Sequence, residues 1–457
     1  MKKKKKGLSF FMGEKNKFTG RVGFVLAAAG SAVGLGNLWR FPYLAAKYGG
    51  GTFLFIYLVL AVTFGFTLMI TEVTIGRKTG KSVLDAYGVL NKKFKFIGYL
   101  SAIVPVIIFP YYCVIGGWVV KYVSVYLMQE GLAAAKDTYF SQFISTTMQP
   151  ILFLVVFLLV TASIVVGGVE KGIEKFNKIL MPILILLSII IALYGLTVPG
   201  AMEGFIYYIT PNISKLSFEA LVAAAGQLFY SLSLAMGIMV TYGSYMKKEE
   251  KIESCIKYIE IFDTGIAFIA GLIIVPSVFA FAGGEQAAST SGPGLMFVML
   301  PKVFASMKFG HIIGGAFFIL VFLAAVTSSI SLMETIVSMI AEKTKWSRNS
   351  ICLMVILIAF AMAIPSTLGF GIWSGVTILK LSILDFFDFI SNTILMPVIA
   401  LLMCIFIGHV MKTDLIAEEI NLSEEFKNRK LYDMVIKFIA PAFLVLILIT
   451  SIMGTFQ

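Results

Sequence analysis

Three glycines and one asparagine interrupt the first long apolar stretch of the chain. The segment AAAGSAVGLGN covers residues 27–37, with Gly30, Gly34 and Gly36 close together and Asn37 at its end. Each glycine costs about 1 kcal/mol in a helix interior, so we expect a break between two half-helices here. Such a break exposes backbone N–H groups that suit a carboxylate and carbonyl oxygens that suit a hard cation such as Na⁺.

A second interruption lies five apolar stretches later. The segment AAAGQLFYSLSLAMGIM covers residues 223–239, and Ser231, Ser233 and Gly237 break its apolar run. Stretches that are five apart cross a membrane in opposite directions, and paired broken helices in two inverted halves are typical of secondary transporters with a central site. Close helix packing through glycine is the alternative for either segment taken alone.

Oxygen-bearing side chains accompany the two breaks. Asn37, Ser231, Thr327 and Ser328 offer neutral oxygen atoms, and Asp263 carries a negative charge midway along the seventh apolar stretch. Oxygen ligands of this kind suit a hard cation. Because an ionised aspartate is costly in hydrocarbon, we expect Asp263 to face a cation or an aqueous cavity. A salt bridge to Lys or Arg and a buried, protonated carboxyl are the alternatives.

The elements that must position these residues are membrane-spanning helices. The chain is 59% apolar and 14% charged, against roughly 45–50% and about 25% in soluble domains, which excludes a water-soluble enzyme and a disordered chain. Apolar stretches of about 18 residues or more indicate spanning helices. We predict eleven, over residues 21–46, 53–75, 97–127, 150–168, 174–196, 216–245, 255–282, 312–341, 349–366, 381–411 and 433–455.

Basic residues are concentrated in alternate loops. Most of the 37 Lys and Arg residues fall on one side if the N-terminus is cytoplasmic, which predicts a multi-pass plasma-membrane protein with an extracellular C-terminus. The predicted organisation is a cytoplasmic tail over residues 1–20, a membrane core over 21–411, and a cytoplasmic loop with a last helix over 412–457. These loops account for the net charge of +12, so we expect a lipid bilayer and no nucleic acid as partner.

A family resemblance follows from the first interrupted stretch and its surroundings. Gly30–Tyr43, with the sequence GSAVGLGNLWRFPY, is similar to the first-helix signature of the neurotransmitter:sodium symporter family. The similarity continues through Gly49–Gly51, Tyr111–Tyr112, Gln227–Gly237 and Ala324–Ser329 and covers nearly the whole chain. The resemblance is to bacterial members, such as the leucine and hydrophobic amino-acid transporters. It implies an all-α fold of eleven transmembrane helices, with helices 1–5 and 6–10 as inverted repeats, helices 1 and 6 broken, and helix 11 peripheral.

The resemblance also implies two sodium ions and an amino-acid site between them. The first sodium would bind the substrate carboxylate together with Ala32, Asn37, Ser231 and Asp263. The second would bind Gly30, Val33, Ala324, Thr327 and Ser328. The implied substrate contacts are Ser31, Ala32, Leu35, Gly36, Ile108, Tyr112, Phe229, Tyr230, Ser231, Ser233, Met236, Ser328 and Leu332.

Gates on both sides of the site are implied in the same way. The outer gate would consist of Arg40, Asp388, Tyr112 and Tyr230. The inner gate would consist of Lys15, Phe18, Ser244, Tyr245 and Glu342. The family usually has Arg and Trp where this chain has Lys15 and Phe18, and a lysine cannot form the two-point contact of an arginine with a carboxylate. Gly172 and Pro182 match an unwinding motif of the fifth helix.

These features predict a sodium-coupled symporter, and not an enzyme, that imports a hydrophobic, bulky or aromatic L-amino acid by alternating access. No pore motif of a channel and no catalytic motif of an enzyme occurs in the sequence. A proton-coupled transporter of the same architecture is the alternative. Thr327 and Ser328 argue against it, because proton-coupled relatives usually lack a second cation site.

Two departures from relatives refine the prediction. Gly34 stands where monoamine-transporting relatives carry Asp, so the substrate must bring its own carboxylate. Asp263 and Ala267 stand where chloride-dependent relatives carry Asn and Ser, so we expect that chloride is not required. Neither the preferred amino acid, the oligomeric state nor a role for Glu334 follows from the sequence.

Overall fold

Long apolar helices dominate the computed structural model, which describes residues 17–282 and 292–456. The nine described helices that are long and apolar enough to cross a membrane are Gly51–Thr79, Lys92–Leu127, Met148–Val166, Val169–Gly195, Ile252–Phe281, Gly310–Lys343, Arg348–Leu368, Ile383–Val410 and Arg429–Met453. A bent pair, Arg21–Ala32 and Gly36–Lys47, forms a tenth span when it is counted as one. The predicted all-α membrane fold is confirmed.

The sixth predicted span consists of two short helices. Phe218–Ser231 and Ile238–Ser244 are separated by the non-helical residues 232–237. Neither helix reaches the length of about 20 residues that a bilayer requires. Neither half of the sixth span is therefore long enough to count as a membrane-spanning helix. The predicted number of eleven transmembrane helices stays a prediction. Both predicted interruptions, in the first and the sixth spans, are present.

Small residues bring the second half of the sixth span against the second span. A Cβ atom on Gly76 would collide with the backbone of Val240, and one on Gly243 would collide with the backbone of Val73. Close backbone approach of this kind is typical of membrane helices, whose association depends on packing because lipid is as apolar as their side chains. It fixes the second break beside the second span.

Polar side chains are concentrated where the broken helices meet, and apolar side chains face outward. Asn37, Gln227, Asp263 and Thr327 are fully buried. Many large apolar side chains of the fourth, fifth and ninth spans are exposed, among them Leu152, Leu159, Ile179, Leu186, Leu353 and Leu357. A soluble protein usually buries apolar side chains and exposes polar ones. The opposite distribution here is the one that a hydrocarbon surrounding requires.

Shorter helices cover the ends of the spans. They are Val83–Leu90, Gly131–Ala134, Tyr139–Ser145, Ala201–Ile209, Leu295–Ser306 and Asp414–Ile420. The last of these docks on the second span, where the Arg77 guanidinium donates to Glu419 at 3.0 Å. The segment before the eleventh span is therefore tied to the core through a buried ion pair.

Candidate substrate and ion site

The first break is a bend in which a side chain substitutes for backbone partners. Arg21–Ala32 and Gly36–Lys47 are inclined by 52°, and Val33 is extended between them. The Asn37 Oδ1 atom accepts a hydrogen bond from the Gly34 N–H at 3.2 Å. The Asn37 side chain therefore satisfies a backbone donor within the bend. The break predicted from the glycines is thus observed.

The second break contains two strained residues. Ser233 and Ala235 have φ angles of 53° and 58°, and Gly237 has 74°. The left-handed region costs a non-glycine residue about 1–2 kcal/mol. The Glu72 carboxylate from the second span accepts a hydrogen bond from the Ala235 N–H at 2.6 Å, which holds the loop in place. Glu72 was not predicted as a site residue, although an acidic residue within an apolar span is itself a signal.

Hydrogen bonds tie the two breaks to one another. The Ser233 hydroxyl donates to the Ser31 carbonyl at 3.1 Å. The Gln227 amide donates to the Gly36 carbonyl at 3.1 Å. Because the broken segments satisfy each other's polar groups, irregular backbone is tolerated at this depth of a membrane.

Asp263 is the centre of a buried cluster of donors. Its carboxylate accepts from the Asn37 amide at 2.7 Å, from the Ser231 hydroxyl at 2.8 Å and from the Tyr57 hydroxyl at 3.2 Å. No Lys or Arg of the described chain forms an ion pair with it, so the salt-bridge alternative does not apply here. Three of the residues implied for the first sodium therefore converge, and Tyr57 joins them from the second span.

The residues implied for the second sodium also converge. The Ser328 hydroxyl donates to the Ser31 carbonyl at 3.0 Å and reaches the Val33 carbonyl at 3.5 Å. The Thr327 hydroxyl donates to the Ala324 carbonyl at 3.0 Å. Hydroxyl and carbonyl oxygens of the first and eighth spans thus meet at one place, and such a set fits a hard cation.

An asparagine of the fifth span adds an oxygen that sequence reasoning missed. Asn177 is fully buried, and its Oδ1 atom has no hydrogen-bond partner. That atom lies where a Cβ on Gly30 would be, beside the residues implied for the second sodium. A polar side chain in an otherwise apolar span was the signal available.

A small cavity lies between the breaks and the third and eighth spans. Its volume is about 30 Å³, which is room for about two water molecules. The side chains that line the cavity therefore lie close together. All the implied substrate contacts except Phe229 line it, and Ile238 joins them. The hydroxyl of Tyr112 is buried without a hydrogen-bond partner. Substrate contact by Phe229 stays a prediction.

Comparisons with known proteins agree with this geometry. The model of the Sodium:neurotransmitter symporter family matches residues 15–139 and 134–457. The chain belongs to the sodium:neurotransmitter symporter family. It is therefore a membrane protein of a family of sodium-dependent secondary transporters, and not an enzyme.

Individual relatives of this symporter span the bacterial and animal branches. The uncharacterized sodium-dependent transporter YhdH of Bacillus subtilis is 33% identical over 443 residues, which cover 95% of this chain and 97% of YhdH. The sodium- and chloride-dependent GABA transporter 2 of Rattus norvegicus is 27% identical over 401 residues, or 76% of this chain and 66% of that protein. A crystal structure of MhsT in complex with L-phenylalanine matches with a TM-score of 0.86 and 36% identity, covering 96% of this chain and all of the MhsT chain.

The outer gate of the symporter lacks its implied ion pair in this structure. Arg40 lies over the Tyr230 ring, 5.6 Å from its centroid. Asp388 accepts hydrogen bonds from the Tyr111 hydroxyl at 3.2 Å and the Asn392 amide at 2.5 Å. Within residues 17–282 and 292–456, no contact of 4.0 Å or less joins Arg40 to Asp388. The ion pair implied between Arg40 and Asp388 therefore stays a prediction.

Aromatic packing closes the region of the implied inner gate. Phe18 is buried, its ring lies 5.6 Å from that of Tyr242 and 6.2 Å from that of Tyr245, and its N–H donates to the Tyr245 carbonyl at 3.3 Å. Ser244 is buried beside them. Glu342 accepts from the Ser82 hydroxyl at 2.7 Å, and its implied partner Lys15 lies outside the described residues.

Glu334, which had no predicted role, holds this closure to the ninth span. Its carboxylate accepts from the Tyr245 hydroxyl at 2.8 Å and forms an ion pair with Arg348. Arg348 also donates to the Val165 carbonyl at 2.7 Å. The partners lie in different spans, so sequence spacing alone could not reveal the pair.

We expect Glu334→Gln to destabilise the symporter by about 3 kcal/mol, because removal of one partner leaves the other charge partly buried and unpaired. The measurement is thermal unfolding in detergent, together with Arg348→Gln and the double variant. The double variant should lose less than the sum of the two single variants. Additive losses would show that the two side chains do not stabilise each other.

The fifth span is irregular at Gly172, as the unwinding motif predicts. Residues Val169–Glu174 form a widened helical turn, and Pro182 lies within the helix that follows. Glu174 accepts a hydrogen bond from the Thr19 N–H at 2.8 Å. The start of the first span is thus tied to this irregular turn. Unwinding during transport stays a prediction.

Proposed function

We propose that this protein is a symporter that couples sodium entry to the import of a hydrophobic, bulky or aromatic L-amino acid by alternating access. The observation that carries the proposal is the cavity between the two breaks, where the unpartnered Tyr112 hydroxyl lies beside Gly34. MhsT, which shares the fold, was crystallised with L-phenylalanine. That likeness supports an amino acid as the substrate class.

The polar half of the cavity suits a substrate that carries its own carboxylate. Gly34 has no side chain to supply one, and a Cβ there would lie 2.6 Å from the Ser328 Oγ atom. Tyr112 can donate to a carboxylate, as can the N–H groups of Leu35 and Gly36 at the start of a half-helix. Main-chain carbonyls of the two breaks would accept hydrogen bonds from the substrate amine.

The apolar half suits a hydrophobic side chain. Ile108, Met236, Ile238 and Leu332 line it. Met236 is unbranched and adapts its shape to a ligand. A cavity of about 30 Å³ must widen around any amino acid, so side chains of this wall have to move when substrate enters.

Two sodium ions per substrate are proposed from the two oxygen clusters, one at Asp263 and one at Thr327 and Ser328. A zwitterion with two sodium ions carries two net charges, and each gains about 2.3 kcal/mol per 100 mV of membrane potential. The Lys and Arg bias favours an orientation with the N-terminus in the cytoplasm.

The substrate class is tested by uptake and competition in proteoliposomes with an inward sodium gradient. We expect unlabelled Leu, Ile, Phe, Tyr or Trp to displace labelled substrate. Phenethylamine is the matched control for phenylalanine, because it lacks the carboxylate alone. If phenethylamine competes as well as phenylalanine, the proposed carboxylate recognition by Tyr112 and the first break is wrong.

Asp263 provides a test of the proposed chloride independence. We expect uptake by the wild type to be equal in chloride and gluconate buffers, because a fixed carboxylate beside the cation takes the place of an anion. Asp263→Asn should raise the half-saturating sodium concentration about tenfold, a change that corresponds to roughly 1.4 kcal/mol. Asp414→Asn, which changes an exposed carboxylate, is the control. Wild-type uptake that stops in gluconate would refute the argument.

A proton-coupled transporter remains the second candidate, since Asp263 is a buried carboxyl. Its signature is uptake that a pH gradient drives in sodium-free buffer. The sodium experiments in the Discussion separate the two mechanisms.

A further inference from the structure

A carboxyl group without a hydrogen-bond partner lies in the seventh span, about one helical turn before Asp263. Glu260 is 8% exposed, and its Oε1 atom is buried without a hydrogen-bond partner. No hydrogen bond or ion pair joins its carboxyl group to any other residue within the described ranges. A carboxylate in a membrane helix is costly unless a cation or donor meets it, so a partner from outside the chain would lower the free energy of this site.

Glu260 borders a large cavity between the second, seventh and eleventh spans. The cavity has a volume of about 680 Å³, within the range of about 300–1,000 Å³ that is usual for ligand sites. Its wall is mainly apolar and includes Leu58, Phe66, Phe268 and Leu431. Leu58 is 42% exposed, so the cavity opens toward the hydrocarbon of the bilayer.

A positive charge lies on the same side of the helix. Lys257 precedes Glu260 by three residues, and residues three apart are neighbours on a helix surface. Lys257 pairs with Glu253 at 2.9 Å, yet 49% of its side chain is exposed, so donors remain available. Asn428 also lines the cavity at this end. The cavity therefore presents a carboxylate and an ammonium side by side beneath an apolar wall.

The depth of Glu260 matches that of a lipid headgroup. A helix rises about 1.5 Å per residue, so Glu260 lies about 12 Å from the helix start at Ile252. The helix Ile252–Phe281 has 30 residues and is longer than the hydrocarbon core of roughly 30 Å. Glu260 is thus close to the boundary of the hydrocarbon, on the cytoplasmic side in the proposed orientation.

We propose that this cavity binds a phospholipid with a primary-amine headgroup, of the phosphatidylethanolamine type. Its headgroup folds back so that the ammonium contacts Glu260, its phosphate faces Lys257 and Asn428, and one acyl chain occupies the apolar wall. A primary ammonium has N–H donors for the unpartnered carboxyl oxygens, whereas the trimethylammonium of phosphatidylcholine has none. The proposal therefore includes selectivity for the amine headgroup.

The test measures lipid retention on the full-length protein by native mass spectrometry. Purified protein in detergent is titrated with phosphatidylethanolamine or with phosphatidylcholine of identical acyl chains. We expect the wild type to retain the first lipid about tenfold more tightly, as one charge-assisted hydrogen bond predicts. Glu260→Gln should lose this preference. Glu249→Gln, an exposed carboxylate on the same side, should keep it.

A second variant keeps the test decisive if Glu260→Gln folds poorly. A Cβ on Gly265 meets no heavy atom within 4 Å, and Gly265 lines the cavity, so the side chain in Gly265→Leu occupies part of the cavity. Leucine is also a better helix former than glycine. We expect Gly265→Leu to stay folded and to lose the bound lipid. Equal retention of the two lipids by the wild type, or an undiminished preference in either cavity variant, would overturn the proposal.

Discussion

Replacement of external sodium by choline is expected to abolish amino-acid uptake into proteoliposomes. The Ser328 hydroxyl contacts the Ser31 and Val33 carbonyls, and the hydroxyl of the preceding residue, Thr327, contacts the Ala324 carbonyl. A hard cation held by these oxygens would fix the first span against the eighth. Thr327→Val should raise the half-saturating sodium concentration at least about tenfold, because one oxygen ligand is lost without a change of shape.

Thr327→Ser is the matched control, because it keeps the hydroxyl and removes only a methyl group. We expect it to stay close to the wild type, and the combination of Thr327→Val with Ser328→Ala to be the most affected. Undiminished uptake in choline buffer, driven by a pH gradient, would instead support the proton-coupled alternative. That result would leave the proposed lipid site intact, since lipid retention is measured without transport.

The second large effect is expected from Gly34→Asp, which should reduce amino-acid uptake about a thousandfold. Its carboxylate would stand within about 4 Å of the substrate carboxylate, and two like charges at that distance repel by about 4 kcal/mol at an effective dielectric constant of about 20. A Cβ at this position also approaches the Ser328 Oγ atom to 2.6 Å. The measurement is the initial rate of uptake of a labelled hydrophobic amino acid.

Gly34→Ala separates the charge repulsion from the steric effect of the Cβ atom, because alanine has the Cβ atom and no charge. We expect a smaller loss for Gly34→Ala, with the difference between the two variants reporting the repulsion. An aspartate variant that transports as well as the alanine variant would show that the substrate carboxylate does not bind beside residue 34.

Features that depend on neighbouring residues were predictable from the sequence. Clustered glycines destabilise a helix locally, so the bend after Ala32 and the loop after Ser231 were both expected and are both present. The membrane-spanning helices were predictable from the long apolar stretches, because a helix must have a minimum apolar length to cross a bilayer. The sixth span was predicted as one apolar stretch over residues 216–245, and the structure divides it into two helices of 14 and 7 residues.

The pairing of side chains from distant spans required the tertiary structure. Family resemblance brought Asn37, Ser231 and Asp263 together, but their hydrogen bonds and the contribution of Tyr57 depend on how three helices pack. The contacts of Arg40 with Tyr230 and of Asp388 with Tyr111 and Asn392 likewise follow from the packing of separate spans.

Repeated crossing of a membrane, the two broken helices and the oxygen-bearing residues beside the breaks were all predictable from the amino-acid sequence. These properties follow from hydropathy, helix propensity and residue chemistry, which act over a few turns of chain. The folded arrangement was needed to find that Glu72 holds the strained loop, that Glu334 pairs with Arg348 and that Glu260 faces an apolar cavity. Each depends on the position of another span, and no local pattern of residues specifies that position.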